Sequence, residues 1–388
     1  MTRVVVAIDS LKGSLSAAAA ARALAAGWTA AEPAARIDLR PMADGGEGTL
    51  DAFAAAVPGA RRMPVTVTGP HGEPVAASWL WLPSPDDERG TGVVELASTS
   101  GIELLGDVRR GLDADTTGFG QAIAAALDAG VSRVVLGIGS SASTDGGVGM
   151  LRALGARFAD RHGADIVPGA RGLADLATAD LAELRPLPPG GAVVLTDVSN
   201  PLLGARGAAA VFGPQKGLDA AGVAAAERAL AGLSRAVPRG DVLASTDGAG
   251  AAGGTGFGLL AWGAGLTPGA REVATLIGLA DAVAAADLVI TGEGSFDGQS
   301  AAGKVPAFVA ELAAHAGVPA ALVAGRIAPD AETAAFAASV SLTDLAGSSG
   351  ASFADPARWL RAAGAALAAT VSAGGADRPT GRGTGAGA

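Results

Sequence analysis

Carboxylates, lysines and glycines are concentrated in a few short segments of this chain, and each segment follows an apolar run that reads as a strand. The segments are residues 9–14, 42–49, 137–147, 196–201 and 292–297. Glycine-rich turns allow backbone N–H groups to approach phosphate oxygens, and carboxylates can hold Mg²⁺ or accept the proton of an attacking hydroxyl. Phosphoryl transfer needs held phosphates, neutralised charge and a positioned nucleophile, so this pattern indicates that chemistry.

Two interpretations of the acidic residues remain open, because a carboxylate at the start of a helix is also a common N-cap. The carboxyl ends of parallel strands meet at one edge of a sheet, where doubly wound proteins bind ligands near the point at which the strand order reverses. Asp9, Asp44, Glu293 and Arg326 all follow predicted parallel strands. We therefore expect them to share one edge.

The two ends of the chain alternate between strands and alanine-rich helices. The predicted strands are 3–9, 37–42, 287–291, 320–324 and 339–343. Continuous β-branched runs are typical of strands buried on both faces of a parallel sheet. We predict an α/β fold with a doubly wound, flavodoxin-like parallel sheet in the order 2-1-3-4-5, formed by residues 1–60 and 271–372. Residues 373–388 lack an apolar anchor and are expected to be disordered.

The middle of the chain, residues 61–270, reads as a second α/β domain inserted into the first. Its early strands are separated by Pro/Gly turns, which indicates antiparallel or mixed pairing. Its later strands are apolar and alternate with helices. The predicted strands are 65–68, 78–82, 93–96, 133–138 and 193–196. With two such domains, we expect the active site in the cleft between them.

The composition excludes several functional classes. The 388-residue chain has a formal net charge of −10 and no basic stripe of the kind that binds nucleic acid. It contains no cysteine, which excludes disulfides and thiolate metal sites. Its three histidines stand far apart in sequence, which disfavours a histidine zinc site or a histidine-centred catalytic triad. The N-terminus reads as a strand from residue 3 and not as an apolar signal core, and no apolar run nears the ~20 residues of a membrane span, so we expect a cytoplasmic protein.

Two motif matches resemble nucleotide sites but lack a required part. Residues 298–304 match the first seven positions of a Walker A loop, but Val305 replaces the magnesium-binding hydroxyl. Lys304 stays a candidate phosphate contact of another kind. Residues 248–253 match GxGxxG without the acidic residue that should follow, so we predict a tight turn into a helix. Lys216 lies in a glycine-flanked turn, where a solvated lysine and a ligand contact are both open.

Six stretches of the chain resemble the bacterial glycerate kinase family, the type unrelated to P-loop kinases. They are DSLKGS (9–14), PMADGGEGT (41–49), GIGSSASTDGGVGM (137–150), TDVSNPLLGARGAAAVFGPQKG (196–217), GAGAAGGTGFG (248–258) and DLVITGEGSFDGQSAAGKVP (287–306). The resemblance implies a flavodoxin-like domain with an inserted α/β domain, and ATP-dependent phosphorylation of D-glycerate, giving 2-phosphoglycerate in many members. Two features depart from the family. Leu11 stands where the family has Phe, and residues 109–115 lack its Asn/Asp-Pro-Leu pattern, which weakens a substrate role for Arg109 or Arg110.

From position and resemblance together, we predict a kinase that uses ATP and Mg²⁺ and acts on glycerate as a monomer or homodimer. Another small hydroxy or sugar acid is the alternative substrate, and a non-catalytic sensor of a phosphorylated acid is the alternative class. An acidic chain that binds anionic ATP needs a bridging cation, which favours the metal.

The site residues are predicted residue by residue. Asp44 and Asp197 are candidates for the catalytic base, and Lys12 neutralises phosphate charge. The predicted phosphate and nucleotide contacts are Gly139, Ser140, Ser141, Thr144, Gly146, Gly147 and Lys304. The predicted substrate contacts are Ser10, Gly45, Gly46 and Arg326, and the predicted metal ligands are Asp9, Glu293 and Asp297.

Overall fold

A computed structural model describes residues 1–84, 87–298 and 304–375 of the chain. Within these residues the strands are β1 (Arg3–Ile8), β2 (Arg36–Leu39), β3 (Arg61–Thr68), β4 (Pro74–Leu82), β5 (Thr91–Glu95), β6 (Arg133–Gly137), β7 (Arg157–Ala159), β8 (Thr178–Asp180), β9 (Ala192–Leu195), β10 (Gly265–Thr267), β11 (Leu288–Phe296), β12 (Ala320–Ile327) and β13 (Ala338–Ser341). The helices are α1 (Ala17–Ala31), α2 (Thr49–Ala56), α3 (Ala97–Ser100), α4 (Thr117–Asp128), α5 (Val148–Ala153), α6 (Gly169–Gly172), α7 (Ala208–Phe212), α8 (Ala220–Ala236), α9 (Gly240–Ser245), α10 (Ala251–Trp262), α11 (Gly269–Leu276), α12 (Leu279–Ala284), α13 (Val305–His315), α14 (Leu342–Ala346), α15 (Ser349–Ala354) and α16 (Pro356–Gly375).

The chain divides into two compact units. The first unit comprises Met1–Pro41 and Leu279–Ala388, and the second unit comprises Met42–Gly278. The sequence places these boundaries at 60/61 and 270/271. The difference arises because α2 and α11 pack against β5 and β9 of the second unit. The sequence predicts α2 as part of the N-terminal run of strands and helices, and it predicts no helix at the position of α11.

The first unit is built on a five-stranded parallel sheet in the order β13-β12-β11-β1-β2. Numbered within the unit, this is 2-1-3-4-5, so the predicted flavodoxin-like order is confirmed. β1 lies centrally and is buried from Val4 to Ile8. Its alternate side chains Val4, Val6 and Ile8 join the apolar cluster that α1 and α16 cover. The strand reads as continuously apolar because both of its faces are buried.

Two strands of the first unit are longer than the sequence indicates. β11 runs to Phe296 and β12 to Ile327, with Ser295 paired to Arg326. Glu293 and Arg326 therefore lie within paired strands and not in loops after them, which corrects the prediction for these residues. The glycine- and serine-containing segment after residue 291 reads as a loop locally. Pairing with its neighbour extends the strand.

The second unit contains a six-stranded mixed sheet in the order β10-β9-β6-β5-β4-β3. β3, β4 and β5 pair antiparallel, whereas β5, β6, β9 and β10 pair in parallel. This confirms the mixed pairing predicted from the Pro/Gly turns. β7 and β8 form a small separate antiparallel sheet of two strands. The parallel half of the sheet presents one carboxyl edge, where the ends of β5, β6, β9 and β10 lie side by side.

Three predictions concern the ends of the described residues. α16 continues to Gly375, so the first residues of the predicted disordered tail are helical, and residues 376–388 lie outside the described residues. Of the Walker A match, residues 299–303 also lie outside them. In the part of the chain that is described, no helix is both long and apolar enough to cross a membrane.

Candidate functional site

The loop at residues 42–48 packs on the carboxyl edge of the second unit's sheet. The backbone N–H of Gly139, just after β6, donates to the carbonyl of Gly45 at 2.9 Å. Gly45 also lies so close to the end of β9 that a Cβ on it would come within 2.5 Å of the Leu195 carbonyl oxygen. A glycine with φ of 95° is therefore required at this position. The strand ends and this loop form one continuous surface.

The N-terminus of α11 brings Asp44 and Asp197 together. The Gly269 N–H donates to Asp197 Oδ1 at 3.0 Å, and a Cβ on Gly269 would lie 2.3 Å from the Asp44 carbonyl oxygen. Asp44 Oδ1 accepts from the Gly46 N–H at 3.0 Å. Asp44 is half-buried and Asp197 is exposed. The main chain of Asp44 and the carboxylate of Asp197 thus lie at one helix N-terminus, where backbone N–H groups stabilise the negative charge of Asp197.

Glu95, the last residue of β5, is a buried carboxyl that the sequence analysis missed. Its Oε2 accepts from the Leu50 N–H at 3.1 Å, at the start of the helix that follows the 42–48 loop. Burial is the main cause that raises the pKa of Glu95 to about 7, and the hydrogen bonds from Leu50 and Gly48 oppose the rise. The sequence signal was one acidic residue closing an apolar strand, GVVE. The hydrogen bond from Leu50 to Glu95 ties the start of α2, and with it the end of the 42–48 loop, to β5.

The loop at residues 139–147, which we call the serine loop, is mostly buried. Its exposed residue is Ser140, whose φ of 59° is left-handed although it is not glycine. The N–H of Gly139 is bonded to Gly45, that of Gly146 to the Gly253 carbonyl, and that of Gly147 to Asp145 Oδ1. These three amides were predicted phosphate contacts, and in this structure they donate to protein acceptors instead.

Asp145 organises the buried end of the serine loop. Its Oδ2 accepts from the Thr116 N–H, the Thr116 hydroxyl and the Gly149 N–H at 2.8–3.0 Å, and its side chain is fully buried. Asp115 lies nearby, and burial, with the charge of Asp145 as a second cause, raises the pKa of Asp115 to about 6. The Asp145 carboxylate is thus a structural acceptor that joins the starts of α4 and α5.

Lys216 is buried and not solvated, with 2% of its surface exposed. Its ammonium donates to Ser141 Oγ at 2.7 Å and to the Ser143 carbonyl. Burial lowers the pKa of Lys216 to about 7, and the charge of Asp145 opposes that change. The hydroxyls of Ser143 and Thr144 are also buried, and neither has a hydrogen-bond partner among the described residues. The predicted contacts Ser141 and Thr144 therefore lie beneath the surface of the loop.

The first unit places its predicted residues around the ends of β1, β11 and β12. Asp9 Oδ1 accepts from the Ser10 N–H at 2.6 Å, and the Asp9 N–H donates to the Gly292 carbonyl at 2.9 Å. Lys304, which immediately precedes α13, pairs with Glu293 at 3.6 Å. Lys12 and Arg326 are exposed, and Asp297 is half-buried just beyond β11. The structure joins Glu293 to Lys304 directly.

The carboxylates of the described residues do not assemble a preformed metal cluster. Across residues 1–84, 87–298 and 304–375, no three His, Asp or Glu side chains form a group that could hold a metal ion. Asp9, Glu293 and Asp297 thus do not form a closed three-ligand site. Mg²⁺ commonly takes one or two carboxylates and completes its shell with water and phosphate oxygens, so a magnesium site does not require a closed group of three carboxylates.

The molecule is an α/β protein with a doubly wound parallel sheet, a second α/β unit, and carboxylates beside glycine-rich strand ends. The glycerate kinase family model matches residues 4–372. The glycerate kinase of Bacillus subtilis is 42% identical over 333 residues, which cover 84% of this chain and 86% of that protein. The glycerate 2-kinase of Escherichia coli is 40% identical over 333 residues, with the same coverage.

A solved structure shows the same similarity. A crystal structure of a protein assigned as glycerate kinase 2 from Salmonella typhimurium matches with a TM-score of 0.82 at 38% identity. The match covers 97% of this chain and 99% of that chain. The chain belongs to the glycerate kinase family, a family of phosphotransferases, and the resemblance in the sequence motifs is confirmed.

Proposed function

We propose that the chain transfers the γ-phosphoryl group of ATP to D-glycerate and that the 2-hydroxyl is the acceptor, giving 2-phosphoglycerate and ADP. The observation that carries the proposal is that Asp197 and the main chain of Asp44 both lie against Gly269, at the N-terminus of α11, in a chain of the glycerate kinase family. A 2-kinase among the relatives supports the 2-hydroxyl. We place the enzyme in the cytoplasm as a monomer or homodimer.

The chemistry needs one proton acceptor. The glycerate hydroxyl oxygen forms a bond to the γ-phosphorus while the bond from that phosphorus to the β,γ-bridging oxygen breaks, and ADP leaves with that electron pair. The hydroxyl proton passes to a carboxylate oxygen of Asp44 or Asp197. Asp44 is held in place by the Gly46 N–H, and Asp197 by the Gly269 N–H. Each therefore presents an oriented carboxylate at the edge.

Cationic side chains and hydrogen-bond donors are proposed to bind the phosphates of ATP. Lys12 and Lys304 in the first unit supply positive charge, and the hydroxyl and N–H of Ser140 supply donors at the exposed part of the serine loop. The glycine amides of that loop are bonded within the protein, which moves the proposed contact from the glycines to Ser140. Ser10, Gly45, Gly46 and Arg326 are proposed to bind glycerate, with Arg326 directed to its carboxylate.

Mg²⁺ is part of the proposal, since a chain with a net charge of −10 must bind a polyanionic nucleotide. Asp9 and Asp297 are the proposed ligands. Glu293 contributes less directly, because its carboxylate is paired with Lys304. When bound, the ion would neutralise charge on the phosphate oxygens.

A ³¹P NMR spectrum of the product from ATP and D-glycerate tests the reaction and its regiochemistry together. We expect the resonance of 2-phosphoglycerate, and a 3-phosphoglycerate resonance would overturn the 2-hydroxyl assignment. ADP release across glycerate, lactate, tartronate and glyoxylate then tests the substrate. If another acid is turned over as fast as glycerate or faster, that acid would replace glycerate as the proposed substrate. Thermal stabilisation by ligand without ADP release would indicate a sensor.

Replacing the candidate base tests the site. Asp44→Asn and Asp197→Asn are compared with Asp241→Asn, an exposed first-turn residue of α9 in the same unit. Loss of a general base lowers kcat by about 10²–10⁴-fold. We expect this loss in one of the two variants, with unchanged thermal unfolding, and near-normal kcat in the control. If both variants keep near-normal kcat, neither residue is the base.

A further inference from the structure

Ser140 has a backbone conformation that serine rarely adopts. Its φ is 59°, the residue is exposed at the end of β6, and the Gly139 N–H beside it is bonded to the loop that carries Asp44. A left-handed conformation is unfavourable for a residue with a Cβ, and it persists only where surrounding contacts impose it. Glycine at this position would remove the strain. The presence of serine instead of glycine indicates that the Ser140 hydroxyl has a function.

Contacts on both sides impose the Ser140 conformation. On one side, the Ile102 N–H donates to the Ser140 carbonyl at 2.8 Å, and the Ala142 N–H donates to the Ser100 carbonyl at 3.1 Å. On the other side, the Lys216 ammonium donates to Ser141 Oγ and to the Ser143 carbonyl. The backbone after Ser140 is therefore held by two hydrogen bonds from the buried Lys216 side chain.

Packing alone does not explain why a lysine is buried at position 216. Transferring an ammonium from water to a protein interior is unfavourable unless it is well paired. Lys216 has two acceptors for its three N–H donors, and it forms no ion pair within the described part of the chain. Gly253 makes room for it, since a Cβ there would lie 2.8 Å from Nζ. An apolar side chain of similar length would fill this space without the desolvation penalty.

We infer that Lys216 is a positioning residue that holds Ser140, through Ser141 and Ser143, in the strained conformation in which the Ser140 hydroxyl contacts the phosphates of the nucleotide. The inference rests on the proposed function, because it takes an adenine nucleotide as the ligand of the serine loop. Ser140 touches the ligand, and Lys216 acts only through the loop. The role requires the N–H donors of Nζ, because they let one buried group hold two acceptors at once.

The first experiment relieves the strain and removes the hydroxyl. Ser140→Gly is compared with Arg239→Gly, because Arg239 is a second exposed non-glycine residue of the same unit with left-handed φ, at 57°. Both variants should unfold at or above the wild-type Tm, since glycine suits this conformation. In calorimetric titrations with ADP and Mg²⁺, S140G should bind at least about tenfold more weakly, equivalent to ~1.4 kcal/mol, while R239G matches the wild type.

Two outcomes of this titration would overturn the inference. One is S140G binding ADP within about threefold of the wild type, because the hydroxyl would then make no contact worth measuring. The other is a wild-type protein that does not bind ADP. Because the titration needs no acceptor substrate, ADP binding with the expected loss in S140G would support the inference even if glycerate were not phosphorylated. That result would reject the proposed acceptor alone.

The second experiment removes the buried charge. Lys216→Met keeps the length of the side chain, and Gln215→Met, its exposed neighbour on the same turn, is the control. K216M should raise the KM for ATP at least about tenfold and leave the KM for glycerate within about threefold, and Q215M should change neither. Equal changes in both KM values, or no change in a folded K216M, would overturn the positioning role. If K216M does not fold, Ser141→Ala, which removes one acceptor of the ammonium, must show the same selective rise in the KM for ATP, and no rise would reject the role.

Discussion

At the scale of single residues, the second unit contains buried ionisable groups that link its stability to pH. Glu95 closes β5 and binds the N-terminus of α2 through Leu50. Its pKa lies near 7, well above the ordinary value of 4.5, so the folded protein retains a proton there that the unfolded chain has released. A raised carboxyl pKa makes the folded state lose stability as pH rises through that interval.

Glu95→Gln should remove this dependence, because the amide keeps an oxygen that can accept from Leu50 but does not titrate. Relative to E95Q, the wild type should lose stability between about pH 4.5 and pH 7, by on the order of 3 kcal/mol in total. Outside that interval the difference should be constant. Denaturant unfolding of both proteins at several pH values checks the slope. A wild-type advantage that grows with pH would contradict the raised pKa.

Asp145 acts by accepting several donors at once, and its removal should be correspondingly severe. Asp145→Asn replaces one acceptor oxygen by an NH₂ group, which cannot accept from Gly147 if it replaces Oδ1, or from Thr116 and Gly149 if it replaces Oδ2. We expect a loss of at least about 2 kcal/mol of unfolding free energy, because buried donors are left unpaired. Asp160→Asn is the control, since that carboxylate accepts two N–H groups in an exposed turn. Equal losses in the two variants would contradict the role of burial.

At the scale of elements, two helices of the first unit approach so closely that only glycine fits between them. A Cβ on Gly27 of α1 would lie 1.9 Å from the Arg361 carbonyl oxygen of α16, and one on Gly364 would lie 2.2 Å from the Leu24 carbonyl oxygen. Glycine lowers helix propensity, so its presence in two facing helices is explained by this contact. The close approach brings both helices onto the same face of the sheet.

Gly27→Ala should therefore destabilise the protein despite its better helix propensity. We expect a loss of roughly 1–3 kcal/mol, because the two helix backbones must separate. Gly350→Ala in α15 is the matched control, since a Cβ there meets nothing within 4 Å. That variant should be neutral or more stable by up to about 1 kcal/mol. Thermal and denaturant unfolding give both values, and a stabilised G27A would show that the helices do not touch as described.

At the scale of the whole molecule, the chain's two ends belong to one unit. β1 pairs with β11 over Val4–Leu288 to Ile8–Gly292, although the entire second unit lies between them in sequence. Strands that share one sheet and one core are expected to lose protection together when that core is weakened. The stability of β1 should thus depend on residues near the other end of the chain.

Ile290→Ala tests that coupling by hydrogen exchange on the full chain. Ile290 is fully buried in β11 and is the register partner of Val6. Truncation should reduce stability by about 2–5 kcal/mol and speed amide exchange in β1 as much as in β11. Ile290→Val, which removes one methylene, should give the same pattern with a smaller effect. Loss of protection in β11 while β1 stays protected would contradict a single cooperative sheet.

Much of the architecture could be predicted because it depends on local patterns. The β-branched run at the N-terminus, the alanine-rich helices and the alternation of the two predict a doubly wound sheet, and its strand order is confirmed. The ends of β11 and β12 could not be predicted in the same way. The segments before their last residues contain glycines that interrupt the strand pattern, and pairing of Ser295 with Arg326 and of Phe296 with Ile327 extends both strands.

The candidate site divides along the same line. The sequence predicts the residue types that carry the chemistry, the glycine-rich loops and the family, because all three depend on residue identity and spacing. Asp44 and Asp197 were both candidates, but their meeting at Gly269 depends on how β9, α11 and the 42–48 loop pack. Glu95 closes an apolar strand and has no local signal of its role, and the burial of Lys216 is neither of the two alternatives, a solvated lysine or a ligand contact, that the sequence leaves open.

By itself, then, the sequence determined which groups are available: acidic and glycine-rich strand ends, no cysteine, a net charge of −10 and the motifs of one kinase family. Only the tertiary structure decided which of those groups are buried, which glycine amides of the serine loop are already bonded, and which charge supports Ser140. The physical reason is that burial, pKa and backbone strain arise from contacts between residues distant in sequence, and local spacing does not encode them.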